Sequence, residues 1–422
     1  MPAPDSLALR PGRTTVTGAS ISTSGSTSVR TSSRTSSSAS TGASGSTAHD
    51  TRRPSSRDPF LDLVRTWAIL RVVTVHILGL APIPLLWWPA PQFIAPGMPL
   101  VFFVSGALAL ASLDPAGRKR MSARTFWHDR LRRLMLPYWV YYLIAASVTV
   151  ALDLSRGEDS FTINFTRTAV GAVPLIDPIT SPAGFLAVVH LWFLVCFLQI
   201  ILIAPLLARA HRAAPRLVLV SSATVWLGVS YLQLHTSVRV FPEISAFALF
   251  QFFFVLGFWY SDGRLVAGVP SPLRPPGRVL LTWPTGLVVP AIGFAAAAAV
   301  WHWESPLAVH DSPAVHGLLG LSWLAVILLA REPLTRLAVR LARPLAVLTK
   351  RTLTIYLYGW PTAALVGLAI HHLGWTGWPG TIVFIAGSIL ALTAAVKIFG
   401  RVEDLAAGRA PRRTVASVNS AR

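Results

Sequence analysis

Read only for apolar and polar positions, the chain resolves into ten long apolar runs separated by shorter polar connections. Their approximate limits are 61–81, 93–113, 134–153, 188–208, 217–235, 244–260, 280–301, 313–330, 352–371 and 380–399. Runs of about 17 to 25 residues match the length a helix needs to cross the hydrocarbon core of a bilayer. The pattern therefore predicts an all-α polytopic membrane protein with about ten transmembrane helices. Residues 1–58 break it, because Ser, Thr, Gly and Arg dominate there and large apolar side chains are scarce. Such a segment cannot bury a core and is expected to form a disordered tail. Three parts follow: a tail over 1–58, a membrane domain over 59–400 and a short basic tail over 401–422. With no earlier apolar run, the first span is expected to act as an uncleaved signal anchor.

Charge adds an orientation. Between the runs, Lys and Arg alternate strictly, 32 on one set of connections against 3 (Arg156, Arg167 and Arg239) on the other. Cytoplasmic loops collect positive charge, so both termini and the basic connections are expected in the cytoplasm of a multi-pass cell-membrane protein. The same distribution removes the usual implication of a formal net charge of +20. In a soluble protein that excess points to nucleic acid; here it belongs to the membrane surface and its lipids, and no nucleic-acid partner is expected.

Composition agrees, with 53% hydrophobic and 13% charged residues and a mean hydropathy of +0.56. The single cysteine, Cys196, falls in a predicted span, which excludes an intrachain disulfide and a cysteine-built metal site. No dinucleotide fingerprint, phosphate-binding loop or nucleophile elbow occurs in its required context. Any chemistry must take place inside the bundle.

The first run carries the candidate chemistry. The stretch Asp58 to Pro82 contains Arg65, Arg71 and His76 within an apolar sequence. Charge at membrane depth is costly and is normally kept for a task, although arginines can also snorkel to headgroups and a histidine can be a satisfied interior residue. Arg65 and His76 are eleven residues apart. That spacing returns to nearly the same helix face, roughly 16 Å along the axis.

Other features are weaker. Pro96, Gly97 and Pro99 distort the start of the second run, and Ser105 with Gly106 admits close approach of a helix or a ligand. Arg130 and Arg133 lie three apart at the basic mouth of the third run, where guanidinium forks suit phosphate oxygens. His190 and Trp192 are expected at the outer interface, and Tyr356, Tyr358 and Trp360 as packing. His302, Glu304, His310, Asp311 and His316 gather near one connection, but their spacing fits no compact metal site and none is expected.

These residues resemble a known family, the membrane-integral acyltransferase-3 proteins, which acylate sugars and other acceptors at the cell surface. LDLVRTWAILRVVTVH is similar to its first-helix signature, through Asp62, Arg65 and His76. VFFVSG resembles its second-span motif. FWHDRLRRLMLPYW resembles its third-span entry, with Phe126, Arg130, Arg133, Leu134, Pro137, Tyr138 and Trp139 in register. HLWFL at 190–194 and TLTIYLYGWP at 352–361 are similar to two further patches. One departure stands out: members often carry a histidine where this chain has Gly359.

The resemblance implies an O-acyltransferase that moves an acyl group, foremost acetyl, from cytoplasmic acyl-CoA to a hydroxyl of a cell-surface glycan, glycolipid or secreted metabolite. It implies Arg65 and His76 as catalytic residues, His76 as general base, and no metal. Arg130 and Arg133 would hold the coenzyme phosphates, with Ser105 and Tyr138 also in the donor site. A covalent acyl-histidine is the rival chemical scheme. From another class, a transporter or flippase would use Arg65 and His76 in a proton or anion pathway, and a third reading is a noncatalytic membrane partner on the same frame.

Overall fold

The computed structural model describes residues 58–83, 93–94, 97–113, 121–155, 169–175, 184, 187–235, 242–266, 281, 283–304 and 311–409. Of the expected tails over 1–58 and 401–422, residues 1–57 and 410–422 lie outside these residues, as do Pro96, Arg156, Arg167, Arg239 and His310, whereas residues 401–406 continue the last helix.

Each of the ten apolar runs falls on a helix, and two further short helices lie between the eighth and ninth runs. In chain order these are α1 (Pro59–Leu80), α2 (Gly97–Leu113), α3 (Ala123–Ser155), α4 (Trp192–Ala213), α5 (Pro215–His235), α6 (Pro242–Ser261), α7 (Trp283–Glu304), α8 (Pro313–Leu329), α9 (Arg331–Arg340), α10 (Ala342–Thr349), α11 (Thr352–His372) and α12 (Gly377–Ala406). Among the described residues there is no strand, only a single bridge between Val266 and Leu281.

Among the described residues, eight helices are long and apolar enough to cross a membrane: α1, α3, α4 with the turn before it, α5, α6, α7, α11 and α12. The other two expected spans take a different form. α2 has only 17 residues, and α8 reaches spanning length only together with α9, from which it is bent by 72°. The bend falls where Arg331 and Glu332 interrupt the apolar sequence. Residues 331–349, read as a basic loop, are two short helices with one apolar side and one arginine-rich side.

Small residues set the packing. α2 and α6 form the most extensive helix pair. A Cβ on Gly106 would lie 2.0 Å from the Phe254 carbonyl oxygen, and one on Gly257 would lie 2.1 Å from that of Phe103. The two backbones thus meet at a crossing only glycine permits, the general device for pairing helices in lipid. α1 lies between α2 and α11, with α9 and α10 against its first turns. Asp58 caps α1 by accepting from the Phe60 amide at 3.0 Å, and its other oxygen accepts from Tyr260 at 2.8 Å. Arg331 donates to that tyrosine oxygen at 3.0 Å, which ties the start of α1, the end of α6 and the elbow into one knot.

Prolines inside helices leave carbonyls without their usual donors four residues on, and in lipid these must be satisfied from within the protein. Pro205 in α4 frees the carbonyl of Ile201, which accepts from the Trp127 indole at 3.3 Å. Pro361 in α11 frees that of Leu357, which accepts from His190 at 3.0 Å.

Candidate functional site

Two polar groups lie along the face that α1 turns to α11. The first is at the basic end of the bundle, where α1 and α11 begin and α12 ends. Arg65 donates to the Thr352 hydroxyl at 3.0 Å, and Thr66 shares a 3.0 Å hydrogen bond with Thr349. Arg130, from α3, lies within electrostatic reach of Arg65 and Arg133, with its guanidinium 5.5 Å above the Phe126 ring one turn back. Arg65 and Arg130 are half-buried and Arg133 is exposed. Glu403 of α12 closes the group: its carboxylate accepts from the Thr354 amide at 3.3 Å and from the Thr354 hydroxyl at 2.7 Å, and Arg65 acts on it electrostatically. A carboxylate on the third amide of a helix caps it and complements its dipole. Here the cap comes from another helix. Beside it Arg351 donates to Asp404 at 2.6 Å and to the Gly400 carbonyl.

The second group surrounds His76. Its ring meets the Trp360 indole edge-on at 5.2 Å and lies 6.5 Å from the His190 ring. His190 is 2% exposed and is walled by Tyr141 and Tyr356, each at 5.6 Å, and the Tyr356 hydroxyl donates to the His190 carbonyl. Tyr358 stands 5.2 Å from Tyr141. Beside His76 the Nδ1 of His190 and the indole nitrogen of Trp360 are buried and make no hydrogen bond within the described residues; the buried hydroxyl of Tyr358, whose ring stacks on Phe399 at 4.4 Å, makes none either. Buried polar groups are nearly always paired, so the unsatisfied Nδ1 of His190 and indole nitrogen of Trp360 stand out beside His76.

The expected site residues are therefore divided. Arg65, Arg130 and Arg133 come together, and Arg65 and His76 share one wall. Arg71 turns elsewhere, donating to the Ile94 carbonyl at 3.2 Å. Tyr138 is fully buried, stacked on Tyr142 at 5.4 Å, and gives its hydroxyl to the Gly171 carbonyl. It holds the 169–175 segment, together with Trp139 on the Ala172 carbonyl at 2.9 Å and Gln199 on that of Leu175 at 2.9 Å. Ser105 is half-buried on α2, and among the described residues no hydrogen bond ties it to the arginines. No three His, Cys, Asp or Glu side chains among the described residues gather to hold a metal ion.

Two sequence readings need correction. His190 does not sit at an outer interface: it contacts Leu357, only five residues into the 21-residue α11, deep in the bundle beside His76. Tyr358 and Trp360 do pack, against Phe399 and His76, and each in addition leaves a buried polar atom without a partner among the described residues. Glu403 was not singled out at all. Pro361 was the available signal for a buried donor near 357, though not for which residue would supply it.

Fold and site together define a multi-pass helical membrane protein whose first helix carries Arg65 and His76 toward α11, the latter among buried aromatic and polar side chains. Residues 58–399 match the acyltransferase-3 family model, described as an acyltransferase domain, and the chain belongs to that family. It is accordingly a membrane acyltransferase. No curated protein and no solved structure gives a significant match.

Proposed function

We propose that the protein transfers an acyl group, foremost acetyl, from cytoplasmic acyl-CoA to a hydroxyl of a cell-surface glycan, glycolipid or secreted metabolite, with both termini in the cytoplasm of a cell membrane. The observation that carries this reading is the pairing on α1 of a guanidinium group, Arg65 with Arg130 and Arg133 nearby, and an imidazole about three turns further along on the same wall. The basic-end arginines hold the coenzyme phosphates, with charge-assisted hydrogen bonds of the kind guanidinium forks make. Arg65, fixed by Thr352, steadies the donor where it enters the bundle. Tyr138 shapes the donor path indirectly, by fixing the 169–175 segment, and Ser105 lines it from α2.

The thioester extends toward His76. The acceptor oxygen attacks the thioester carbonyl as its proton passes to an imidazole nitrogen of His76; the carbon–sulfur bond then breaks and the departing thiolate recovers that proton. An ester and free coenzyme A result, and His76 returns to its starting state.

Purified protein incubated with acetyl-CoA labelled in the acetyl group tests this directly. Wild type is expected to cleave the thioester and pass label to a hydroxyl compound, and His76→Ala to insert and fold normally with turnover lowered by at least about a hundredfold, the usual weight of a general base. Intact thioester with wild type, or near-normal turnover in the variant, refutes the scheme. A transporter or a noncatalytic partner would leave the thioester untouched.

A further inference from the structure

The second histidine of the interior is held in one orientation by a proline. A helical carbonyl at 357 would ordinarily accept from the amide of residue 361, but Pro361 has none. His190 takes its place, with Nε2 3.0 Å from the Leu357 oxygen. A carbonyl can only accept, so Nε2 carries the hydrogen, and in the neutral ring Nδ1 is left with a lone pair and no donor. The ring cannot easily turn to find one, because Tyr356 binds the carbonyl of the same residue and the rings of Tyr141 and Tyr356 flank it. A buried acceptor, 2% exposed, thus stands unsatisfied 6.5 Å ring to ring from His76.

One hydroxyl has one proton and cannot donate to both imidazoles. We propose that His190 is a specificity-determining residue: its Nδ1 accepts a hydrogen bond from a second hydroxyl of the acceptor, on the carbon next to the one being acylated. The acceptor is then a vicinal diol, with one hydroxyl giving its proton to His76 and its neighbour oriented by His190. This rests on the acyl transfer proposed above, and it restricts the acceptor by a pattern of hydroxyls instead of by a compound. The Trp360 indole, edge-on to His76, remains as a donor for another of the acceptor's oxygens.

The matched probes are 1,2-propanediol and 1-propanol, with acetyl-CoA as donor. Wild type is expected to favour the diol in kcat/KM by about tenfold, the worth of one buried hydrogen bond. His190→Phe keeps an aromatic ring and loses both nitrogens; its diol preference should fall to about unity with KM for acetyl-CoA unchanged. His190→Gln, which retains a donor for Leu357 and an acceptor for the diol, should recover part of the preference. Equal use of both alcohols by wild type, an undiminished preference in His190→Phe, or identical losses in both variants overturns the proposal.

A readout independent of turnover separates this from failure of the acyl-transfer reading. In full-length protein labelled with nitrogen-15 at histidine, His190 should show the Nε2–H tautomer, and 1,2-propanediol should shift its Nδ1 resonance more than 1-propanol does. Pro361→Ala returns an amide to Leu357 and should release that tautomer. An Nδ1 signal indifferent to the diol refutes the His190 assignment whether or not acetyl-CoA is consumed.

Discussion

At the residue scale, the sequence displayed the two α1 side chains well and their partners poorly. Arg65 and His76 were readable because helical periodicity is local: eleven residues on one helix return to one face whatever surrounds it. Their contacts come from far along the chain, Thr352 in one case and Trp360 and His190 in the other. No local pattern encodes those pairings. Glu403 is a sharper instance, an acidic residue near the end of the last span whose purpose appears only when α12 is laid beside the start of α11. Its role separates by substitution. Glu403→Ala strips an acceptor from the Thr354 amide and hydroxyl and should destabilise the protein by about 1–3 kcal/mol. Glu403→Gln keeps an acceptor oxygen and should retain most of that. Unfolding midpoints in detergent measure both, and equal midpoints for wild type and Glu403→Ala would remove the cap from the account.

At the element scale, each of the ten runs fell on a helix, eight of them long enough to span among the described residues, while their ends depended on features that run lengths do not contain. α3 was expected over 134–153 and begins at Ala123, because a helix can continue into water once its residues turn polar, and hydropathy registers only the apolar part. The α9 and α10 helices were missed for the same reason. The α2–α6 crossing was half legible: Ser105–Gly106 signalled a close approach, but only the structure shows that Gly106 serves α6 and Phe254. Gly106→Leu should therefore act on packing and not on chemistry. It is expected to cost about 1–3 kcal/mol or prevent assembly, through overpacking at a backbone contact. A shortfall in folded protein or a lower midpoint by thermal shift is the expected result, and a variant as stable as wild type would show that α2 and α6 can part freely.

At the scale of the whole molecule, the arginines at the basic end act as a group. Arg130→Ala is expected to raise KM for acetyl-CoA several-fold while kcat stays near wild type, since phosphate contacts made in ground and transition state alike affect binding only. Raising salt should raise the wild-type KM and narrow the difference, because exposed Arg133 contributes through screened charge. Initial-rate kinetics at two salt concentrations test both statements; a fall in kcat with KM unmoved would assign Arg130 to the chemical step.

The length of α3 bears on what such a protein can take up. Its 33 residues extend about 50 Å, against a hydrocarbon layer of about 30 Å. Its first turns run past the apolar stretch that begins at 134: Arg124 and Arg133 are exposed there, while Phe126 and Trp127 pack against the bundle and Arg130 is half-buried beside Arg65. In the transfer proposed above, a bulky, highly charged carrier would stay tied at this end for the whole cycle. Only a slim, uncharged arm would then have to slip between the helices, so that cargo would be screened by its thickness before any bond is made or broken.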